Sequence, residues 1–505
     1  MNNGVRTCLF AGVIAVSCAR RDTVHAQPPN DPIVQAQTTR PVPQVRPEQR
    51  KTPHDLSNIF GVTAAQPASP AEAGQVDHGQ YTAFDFYRDP LGSTRPGESA
   101  ESIMRADIAA KAAVMAAQQK LLAERYDLTP RTLPGVVMSR GKPQPIGPSA
   151  RLRGGKTWDD LAAMTPEAVR SAGLFPYPAL PHVKQATGGM VFPAMQIEMF
   201  PRLQRFDVDF DLPDAFLPEF PPAMYLQSRP ELGDVSRGEV VSINNYYRLF
   251  KDILTPVQLD GLRLLLTPFP QEEFNATDDR KSTQASLGVA CLDCHVNGHT
   301  TGQFHLNPDA RPQDRRFRID TVSLRGLFNQ HIHGSKRSLR SVEDFTEFEQ
   351  RTAYFNGDQI HAIKKGMNIL DRIQVSHMAQ TQNMFGFPPA PKLDDNGHLI
   401  ASKATPEELR GEALFNGKAQ CASCHPPPFY MDQLMHDLRT ERFIDEVPLG
   451  EIKTFTLRGI KDSPPYMHDG RCPTLEDTVE FFNLVQGLKL TAEEKTDLVT
   501  FLRQL

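Results

Sequence analysis

The chain has few cysteines, a small excess of acidic over basic residues and almost no long apolar runs. Seven cysteines among 505 residues are too few for a disulfide scaffold of this size. A formal net charge of −5 gives no electrostatic reason to expect a nucleic-acid partner, because phosphate binding needs a concentrated basic surface. No stretch approaches the roughly 20 apolar residues that span a bilayer, so we expect no transmembrane helix. Hydrophobic residues still make up 39% of the chain, which excludes wholly disordered protein.

The one long apolar run lies at the N-terminus, over residues 8–19, and is flanked by arginines. Its length is typical of a secretory signal, and Val24-His25-Ala26 is a small-residue cleavage site. We therefore predict a signal peptide over residues 1–26 and an exported mature protein. The alternative is lipid attachment at Cys18. Such sites usually have a large aliphatic residue three positions before the cysteine, where this chain has Ala15.

Composition divides the first half of the mature chain into two regions. Residues 27–100 are rich in proline and show no hydrophobic period, which predicts a disordered linker. In residues 101–250, apolar positions between Glu101 and Tyr126 recur at helical spacing and predict one amphipathic helix. Prolines then return among aromatics and methionines. We interpret this region as a segment that wraps later domains, in preference to an independent catalytic domain.

The second half contains three landmarks that occur twice in the same order. The repeated stretches are Thr255-Pro256-Val257-Gln258-Leu259-Asp260-Gly261 with Thr405-Pro406-Glu407-Glu408-Leu409-Arg410-Gly411, Cys291-Leu292-Asp293-Cys294-His295 with Cys421-Ala422-Ser423-Cys424-His425, and Thr321-Val322-Ser323-Leu324-Arg325-Gly326 with Thr454-Phe455-Thr456-Leu457-Arg458-Gly459. This order indicates a duplicated domain, with copies over residues 251–395 and 396–505. The first copy carries an insert over residues 266–285.

The central landmark, C-x-x-C-H, matches the chemistry of covalent haem attachment. Two thiols one helical turn apart form thioethers to the haem vinyl groups, and the adjacent histidine reaches the iron. With 7 Cys and 15 His in the chain, about 0.003 chance matches are expected. A four-thiolate zinc site or two local disulfides are the alternatives, but neither explains the histidine after each pair. We predict two covalently bound haem c groups, on Cys291, Cys294 and His295 and on Cys421, Cys424 and His425.

Each haem needs a helical cradle, and the second copy supplies one. Thr405 and Thr491 are N-caps with glutamate three residues later, which predicts helices over residues 406–415 and 492–505. Gly411 lets these helices cross closely, with Phe415 against Leu498 and Phe501. The arrangement resembles class I cytochromes c. We therefore predict a mainly α fold with two tandem cytochrome c-like haem domains, preceded by a Pro-rich, largely irregular N-terminal region.

A closer resemblance appears in the second copy. Leu457-Arg458-Gly459, Pro465-Tyr466-Met467-His468-Asp469-Gly470 and Thr474-Leu475-Glu476-Asp477-Thr478-Val479 are similar to the C-terminal haem domain of the bacterial di-haem cytochrome c peroxidase and MauG family. The resemblance covers roughly residues 250–505. It implies a periplasmic oxidoreductase in which one haem takes in electrons, from a small redox protein such as a cytochrome c or cupredoxin, and the other reacts with hydrogen peroxide. A calcium ion between the haem domains and a homodimer are further family properties that the residues leave open.

Two departures from the family concern the iron ligands and the region between the haems. The family places the second haem's axial ligand where this chain has Phe482, which cannot bind iron. That haem is then five-coordinate or recruits another donor. Met467 and His468 are the nearest candidates, followed by Met431, Met435 and His436. The family's Trp-Asp-Gly between the haems corresponds to Ile332-His333-Gly334, so an aromatic relay is missing at that position.

The family also implies a carboxylic acid, and haem propionates, as buried anions, need cationic partners. Glu349 is our choice for moving a proton between the peroxide oxygens, ahead of Glu343 and Glu347, and His333 is a second catalytic candidate. His299, His305 and His331 also follow the first attachment motif. Arg325 and Arg458 are predicted to pair with propionates, with Arg311, Arg315, Arg316 and Arg318 as further candidates.

Three functions stay open. The first is a peroxidase or a MauG-like oxidase, the second is a pure electron carrier, and the third is a dioxygen-activating relative similar to the di-haem rubber oxygenases.

Overall fold

The computed structural model of the protein describes residues 100–177, 189–203, 212–268, 290–307, 319–349, 370–444 and 450–505. The predicted signal peptide and nearly all of the linker lie outside these residues, as do most of the 266–285 insert, the arginines at 311–318 and the side chain of His305. In the part that is described, no helix has the length and apolar character needed to cross a membrane.

The region before the haem domains contains one long helix and several short ones. Its helices are α1 Ala100–Arg125, α2 Trp158–Ala163, α3 Pro166–Ala172, α4 Ala194–Met199 and α5 Tyr246–Phe250. Helix α1 lies where the sequence predicts a helix, and its amphipathic character stays a prediction. Thr157 and Thr165 cap α2 and α3 through their side-chain oxygens, whereas prolines keep the connecting segments irregular.

The predicted helix starts of both copies are confirmed. Helix α6 Pro256–Leu265 begins with Thr255 as N-cap, and the Gln258 side chain returns a hydrogen bond to the cap backbone. Further elements of the first copy are the single-turn helix α7 Cys291–Cys294, α8 Val342–Glu349 and α9 Arg372–Gln382. The second copy contains α10 Pro406–Asn416, α11 Leu475–Val485 and α12 Ala492–Leu502. The mainly α fold is confirmed.

Strands are few and short. Strands β1 Gly189–Val191, β2 Phe304–Asn307 and β3 Ile319–Asp320 form an antiparallel sheet in the order β1-β2-β3. Val191 pairs with Phe304, and Phe304 pairs with Asp320. A second antiparallel ribbon joins β4 Met435–His436 to β5 Ile452–Lys453.

A glycine sets the closest helix contact in each copy. Helix α6 crosses α9, and α10 crosses α12. A Cβ atom on Gly261 would lie 2.0 Å from the carbonyl oxygen of His377, and one on Gly411 would lie 2.1 Å from that of Asp497. Only glycine permits backbones to approach this closely. The Phe415 ring packs 5.3 Å from that of Phe501, as predicted for the second copy.

Each copy has its own apolar core, to which residues of the N-terminal region also belong. The core of the first copy includes Leu262, Leu292 and Met378, and residues between 224 and 250 also belong to it. The core of the second copy contains the α10–α12 crossing together with buried residues between Leu122 and Tyr177.

Hydrogen bonds tie residues 126–150 to the second copy. The buried Asp477 carboxylate accepts bonds from Ser149 N–H at 2.8 Å, Ser149 Oγ at 2.6 Å and Ala150 N–H at 3.0 Å. Tyr126 Oη donates to the Arg471 carbonyl oxygen at 2.7 Å. Because a buried carboxylate needs such donors, this part of the N-terminal region is specifically seated.

Candidate functional site

The first attachment motif forms one short helical turn. Cys291 and Cys294 stand at the two ends of α7, so their thiols lie on one face, three residues apart. Asp293 Oδ2 accepts the Ala290 N–H at 2.7 Å and fixes the start of the turn. His295 follows, with its ring Nδ1 2.9 Å from the carbonyl oxygen of Val322.

The second attachment motif repeats this geometry with a different acceptor. Cys421 opens a 3₁₀ turn that ends at Ser423, and Cys424 and His425 follow directly. His425 Nδ1 lies 2.9 Å from the carbonyl oxygen of Tyr430. Burial lowers the pKa of His425 and favours its neutral form.

Both histidines are thereby held in the same tautomer. A backbone carbonyl only accepts hydrogen bonds, so Nδ1 carries the proton and Nε2 keeps a lone pair for a metal. The five cysteines that the structure describes form no disulfide. Within the same residues, no group of three or more metal-ligand atoms includes cysteines from both pairs. The donor set fits a covalently attached haem in each copy.

A buried hydroxyl beside the first motif also fits a cofactor with a polar edge. Thr321 Oγ1 is buried and has no hydrogen-bond partner, and the Thr321 N–H bonds the Gln303 carbonyl oxygen at 3.1 Å. The Gln303 side chain hydrogen-bonds the Cys294 thiol. Thr321 directly precedes Val322, whose carbonyl oxygen orients His295. A buried hydroxyl normally finds a partner, so Thr321 Oγ1 points to a group that binds in this space.

Arg325 lies in a buried ion pair that joins the two copies. Its Nη1 is 3.0 Å from Asp462 Oδ2, and the two side chains are 5% and 4% exposed. Its Nη2 donates to the Ala223 carbonyl oxygen at 2.6 Å, while its Nε is buried without a partner. Of these three guanidinium nitrogens of Arg325, Nε is the one that remains available to a haem propionate.

The equivalent Arg458 makes different contacts. Its Nε donates to the Leu505 carbonyl oxygen at 3.0 Å, and its guanidinium lies 5.3 Å from the centre of the Phe387 ring. No acidic side chain pairs with it among the residues described. Its role as a propionate partner stays a prediction.

The catalytic candidates of the first copy fall in different surroundings. Glu349 ends α8 close enough to Cys294 that its charge, after burial and Asp293, helps raise the pKa of that thiol. His333 is 6% exposed, and burial lowers its pKa to about 4, with Lys453 and His331 adding to the effect. His333 is therefore neutral near pH 7.

His299 is unsuited to binding iron. Its Nδ1 lies 2.7 Å from Ser323 Oγ, and its Nε2 lies 3.1 Å from the Asp462 carbonyl oxygen. Burial lowers its pKa to about 3, so the ring is neutral. Because both ring nitrogens are engaged, His299 stabilises the contact between the copies.

Near the second motif, Met467 and Phe482 border the same apolar core as Cys421. Met467 has a φ of 73°, a left-handed conformation that non-glycine residues rarely adopt. The His468 carbonyl accepts the Asp320 N–H at 2.8 Å, which links this loop to β3 of the first copy. The strained backbone shows that the direction of the Met467 side chain is imposed by its surroundings.

His436 lies next to the second motif but is already paired. One ligand atom each from Cys424, Asp432 and His436 lies within 4.8 Å of the others. His436 Nε2 is 2.6 Å from Asp432 Oδ2. If Cys424 is consumed as a haem thioether, these three atoms cannot form a separate metal site.

Sequence reasoning missed two groups between the copies. Phe328, Phe387 and Phe429 form an aromatic cluster with ring centres 5.9–6.5 Å apart. The loop before α8 also places Arg337 near Lys453 of β5. Both groups draw on distant parts of the chain. The only sequence signal was that Phe328 and Phe429 each closely follow a haem landmark.

No protein-family model matches the chain. Cytochrome-c peroxidase IdrP1 of Pseudomonas sp. (strain SCT) is 31% identical over 304 residues, which cover 45% of this chain and 78% of the relative. The methylamine utilization protein MauG of Methylorubrum extorquens is 31% identical over 123 residues, covering 19% of this chain and 33% of the relative. Among solved structures, a MauG-like protein associated with microbial copper homeostasis shares 19% identity, with a TM-score of 0.33 over 51% of this chain and 90% of that one.

Proposed function

Because this chain belongs to the bacterial di-haem cytochrome c peroxidase and MauG family, we propose that it reduces hydrogen peroxide with electrons from a small redox protein in the periplasm. It is a peroxidase-like oxidoreductase. In the proposed reaction hydrogen peroxide takes up two electrons and two protons and gives two waters, while the donor protein is oxidised. When bound, the haems supply the one-electron chemistry.

The observation that carries this proposal is the duplicated attachment site. In each copy two cysteines and a histidine stand together, and a carbonyl oxygen orients the histidine so that Nε2 can bind iron. Two such sites in one chain support two covalently bound haem c groups, one in each domain. A single-haem carrier would need only one.

We assign peroxide binding to the first haem domain and electron entry to the second. Glu349 is near enough for its charge to act on Cys294, and its carboxylate is proposed to take a proton from one peroxide oxygen and deliver it to the other. His333, neutral near pH 7, is proposed to accept a proton at this side of the site. Met467 is proposed as the sixth ligand of the second haem, supported by its strained backbone and its position on the same core as Cys421.

Stopped-flow measurement of a reduced small cytochrome with peroxide tests these roles. We expect turnover by the wild type and loss of turnover in His295→Gly. Glu349→Gln should slow the peroxide-dependent step by about 10²–10⁴-fold, the range for a lost general acid or base. Glu347→Gln is the matched control, because Glu347 lies on the same helix and pairs with Arg372 at 2.5 Å.

The outcomes separate the functions. If both oxidised and half-reduced protein contain only low-spin haem, and peroxide causes no spectral change, the chain is an electron carrier and the proposal is wrong. If turnover survives Glu349→Gln at the wild-type rate but not His295→Gly, the peroxidase stands and the assignment of Glu349 is lost.

A further inference from the structure

A buried cation of the second haem domain and a half-buried cation of the first lie near each other, and the described residues place no anion between them. Lys453 of β5 is 3% exposed. Burial and, as the smaller cause, the nearby Arg337 charge together lower its pKa to about 8. The Nε of Arg337 is buried and has no hydrogen-bond partner. Neither side chain enters an ion pair anywhere in the residues that the structure describes.

The loop that carries Arg337 is fastened to the second domain on both sides of these cations. The Lys453 N–H donates to the Ser335 carbonyl oxygen at 2.8 Å, and Lys336 Nζ donates to the Glu451 carbonyl oxygen at 2.8 Å. Earlier in the loop, the His331 N–H donates to Gln433 Oε1 at 3.1 Å. The two cations are therefore held together by the backbone despite their repulsion.

This position has neighbours in both haem domains. On the second-domain side, Lys453 pairs across the ribbon with Met435, which directly precedes His436. A ring nitrogen of His436 lies within 4.8 Å of ligand atoms of Cys424 and Asp432. Lys453 Nζ lies 5.8 Å from the centre of the Phe455 ring, and the Phe455 backbone hydrogen-bonds His425.

On the first-domain side, His333 adjoins Lys453 and also Glu343 of α8, the helix that ends at Glu349 beside Cys294. The charge of Glu343 acts on His333 and is not among the groups that act on Lys453. Among the described residues of the first domain, no carboxylate forms an ion pair with Lys453.

Holding the buried ammonium of Lys453 beside the buried Nε of Arg337 without a counter-ion is unfavourable, so this arrangement favours binding of an anion. A carboxylate suits both side chains, since guanidinium and ammonium groups bind carboxylates through charge-assisted hydrogen bonds. A haem carries two propionate carboxylates on the edge away from the vinyl groups that join the cysteines. We propose that Lys453 and Arg337 together bind a propionate of one haem and so couple that haem to both domains. This inference rests on the haem attachment proposed above.

The proposal predicts a redox effect. A cation at a propionate favours the reduced haem electrostatically, so its removal lowers the midpoint potential. In haem-loaded Lys453→Met we expect the one-electron equilibrium of one haem to shift about tenfold toward the oxidised form, which corresponds to 59 mV. Arg337→Met should shift the same haem in the same direction. Lys453→Arg keeps the charge and should stay near the wild type.

Redox titration followed by visible spectroscopy measures both potentials, and resonance Raman scattering of the propionate-bending modes reports the lost hydrogen bond. Lys336→Met is the matched control, because it removes the same charge one residue from Arg337 but from a side chain bonded to a backbone carbonyl. Unchanged potentials and propionate bands in Lys453→Met and Arg337→Met, with both haems present, would overturn the proposal.

Two further outcomes separate the possible failures. If inorganic phosphate, added to the wild type, shifts the potential as much as Lys453→Met does, the cations hold an exchangeable anion and the propionate assignment is wrong. If the wild type itself contains no covalent haem, the proposed function fails first and the propionate assignment fails with it.

Discussion

The two haem domains share the same backbone arrangement, but the charged pairs at their helix crossings differ. In each domain a threonine-capped helix crosses its partner at a glycine, and a carbonyl oxygen orients the haem histidine. Both arginine loops are held alike, because the Arg325 N–H bonds Ser323 Oγ and the Arg458 N–H bonds Thr456 Oγ1. These shared contacts all involve backbone atoms or short side chains.

The differences lie in the charged pairs next to the same glycines. In the first domain, Asp260 Oδ2 lies 2.8 Å from His377 Nδ1. In the second domain the polarity is reversed, and Arg410 Nε donates to Asp497 Oδ2 at 2.7 Å. Both copies thus keep the helix crossing. The helix with the capping threonine carries an acidic residue next to its glycine in one copy and a basic residue in the other, and the facing helix carries the complementary side chain.

The largest difference should be between the two loop arginines. Arg325→Met leaves the buried Asp462 carboxylate without its cation, so we expect the free energy of unfolding to fall by about 3–5 kcal/mol. Arg458→Met removes bonds to carbonyl oxygens and no ion pair, and should cost about 1–3 kcal/mol. Urea denaturation of the haem-loaded variants measures both values. Equal losses would show that the ion pair with Asp462 contributes nothing special.

The glycine crossings should respond alike and by an intermediate amount. Gly261→Ala and Gly411→Ala each force a methyl group into a backbone carbonyl, and we expect each to destabilise by about 1–3 kcal/mol. Thr496→Ala, at an exposed site on α12, is the control and should change stability little. If only one glycine variant is destabilised, the two crossings are not equivalent.

The smallest effect should come from the charged pair of the first domain. The hydrogen bond from His377 is the main cause that lowers the pKa of Asp260 below 3.8. A carboxyl group with a lowered folded-state pKa stabilises above its ordinary pKa, and this stability is lost as the pH falls through the folded value.

Asp260→Asn should therefore lower the free energy of unfolding above about pH 4, by no more than about 1 kcal/mol because the pair is partly exposed. The difference should vanish at lower pH. Denaturation curves between pH 2 and 7 provide the measurement, with Asp252→Asn as the control because its side chain is 85% exposed. A difference that grows toward low pH would contradict this account.

The sequence patterns predicted the features that depend on short segments of the chain. The capping boxes at Thr255 and Thr405, the crossing at Gly411 and the two attachment turns all depend on residues within a few positions or on a recognisable repeat. They did not predict that α9 is the partner of α6. Helix α9 lies beyond the insert at residues 266–285, and no repeated motif with a glycine marks it in the sequence.

Contacts between distant segments could not be predicted from one sequence. Arg325 and Asp462 are 137 residues apart, and neither motif says which of its side chains faces the other domain. The same holds for Arg337 and Lys453, whose meeting depends on how a loop of one domain lies against a ribbon of the other. Periodicity reports which residues are buried, but it does not report their partners.

Intact-mass analysis of protein matured in a periplasm that attaches haem tests the central claim most directly. The account predicts the mature chain plus two haems. It predicts the loss of one haem in the double variant Cys291→Ala, Cys294→Ala and of the other in Cys421→Ala, Cys424→Ala. A bare polypeptide mass, with any colour extracted by acidified organic solvent, would contradict it.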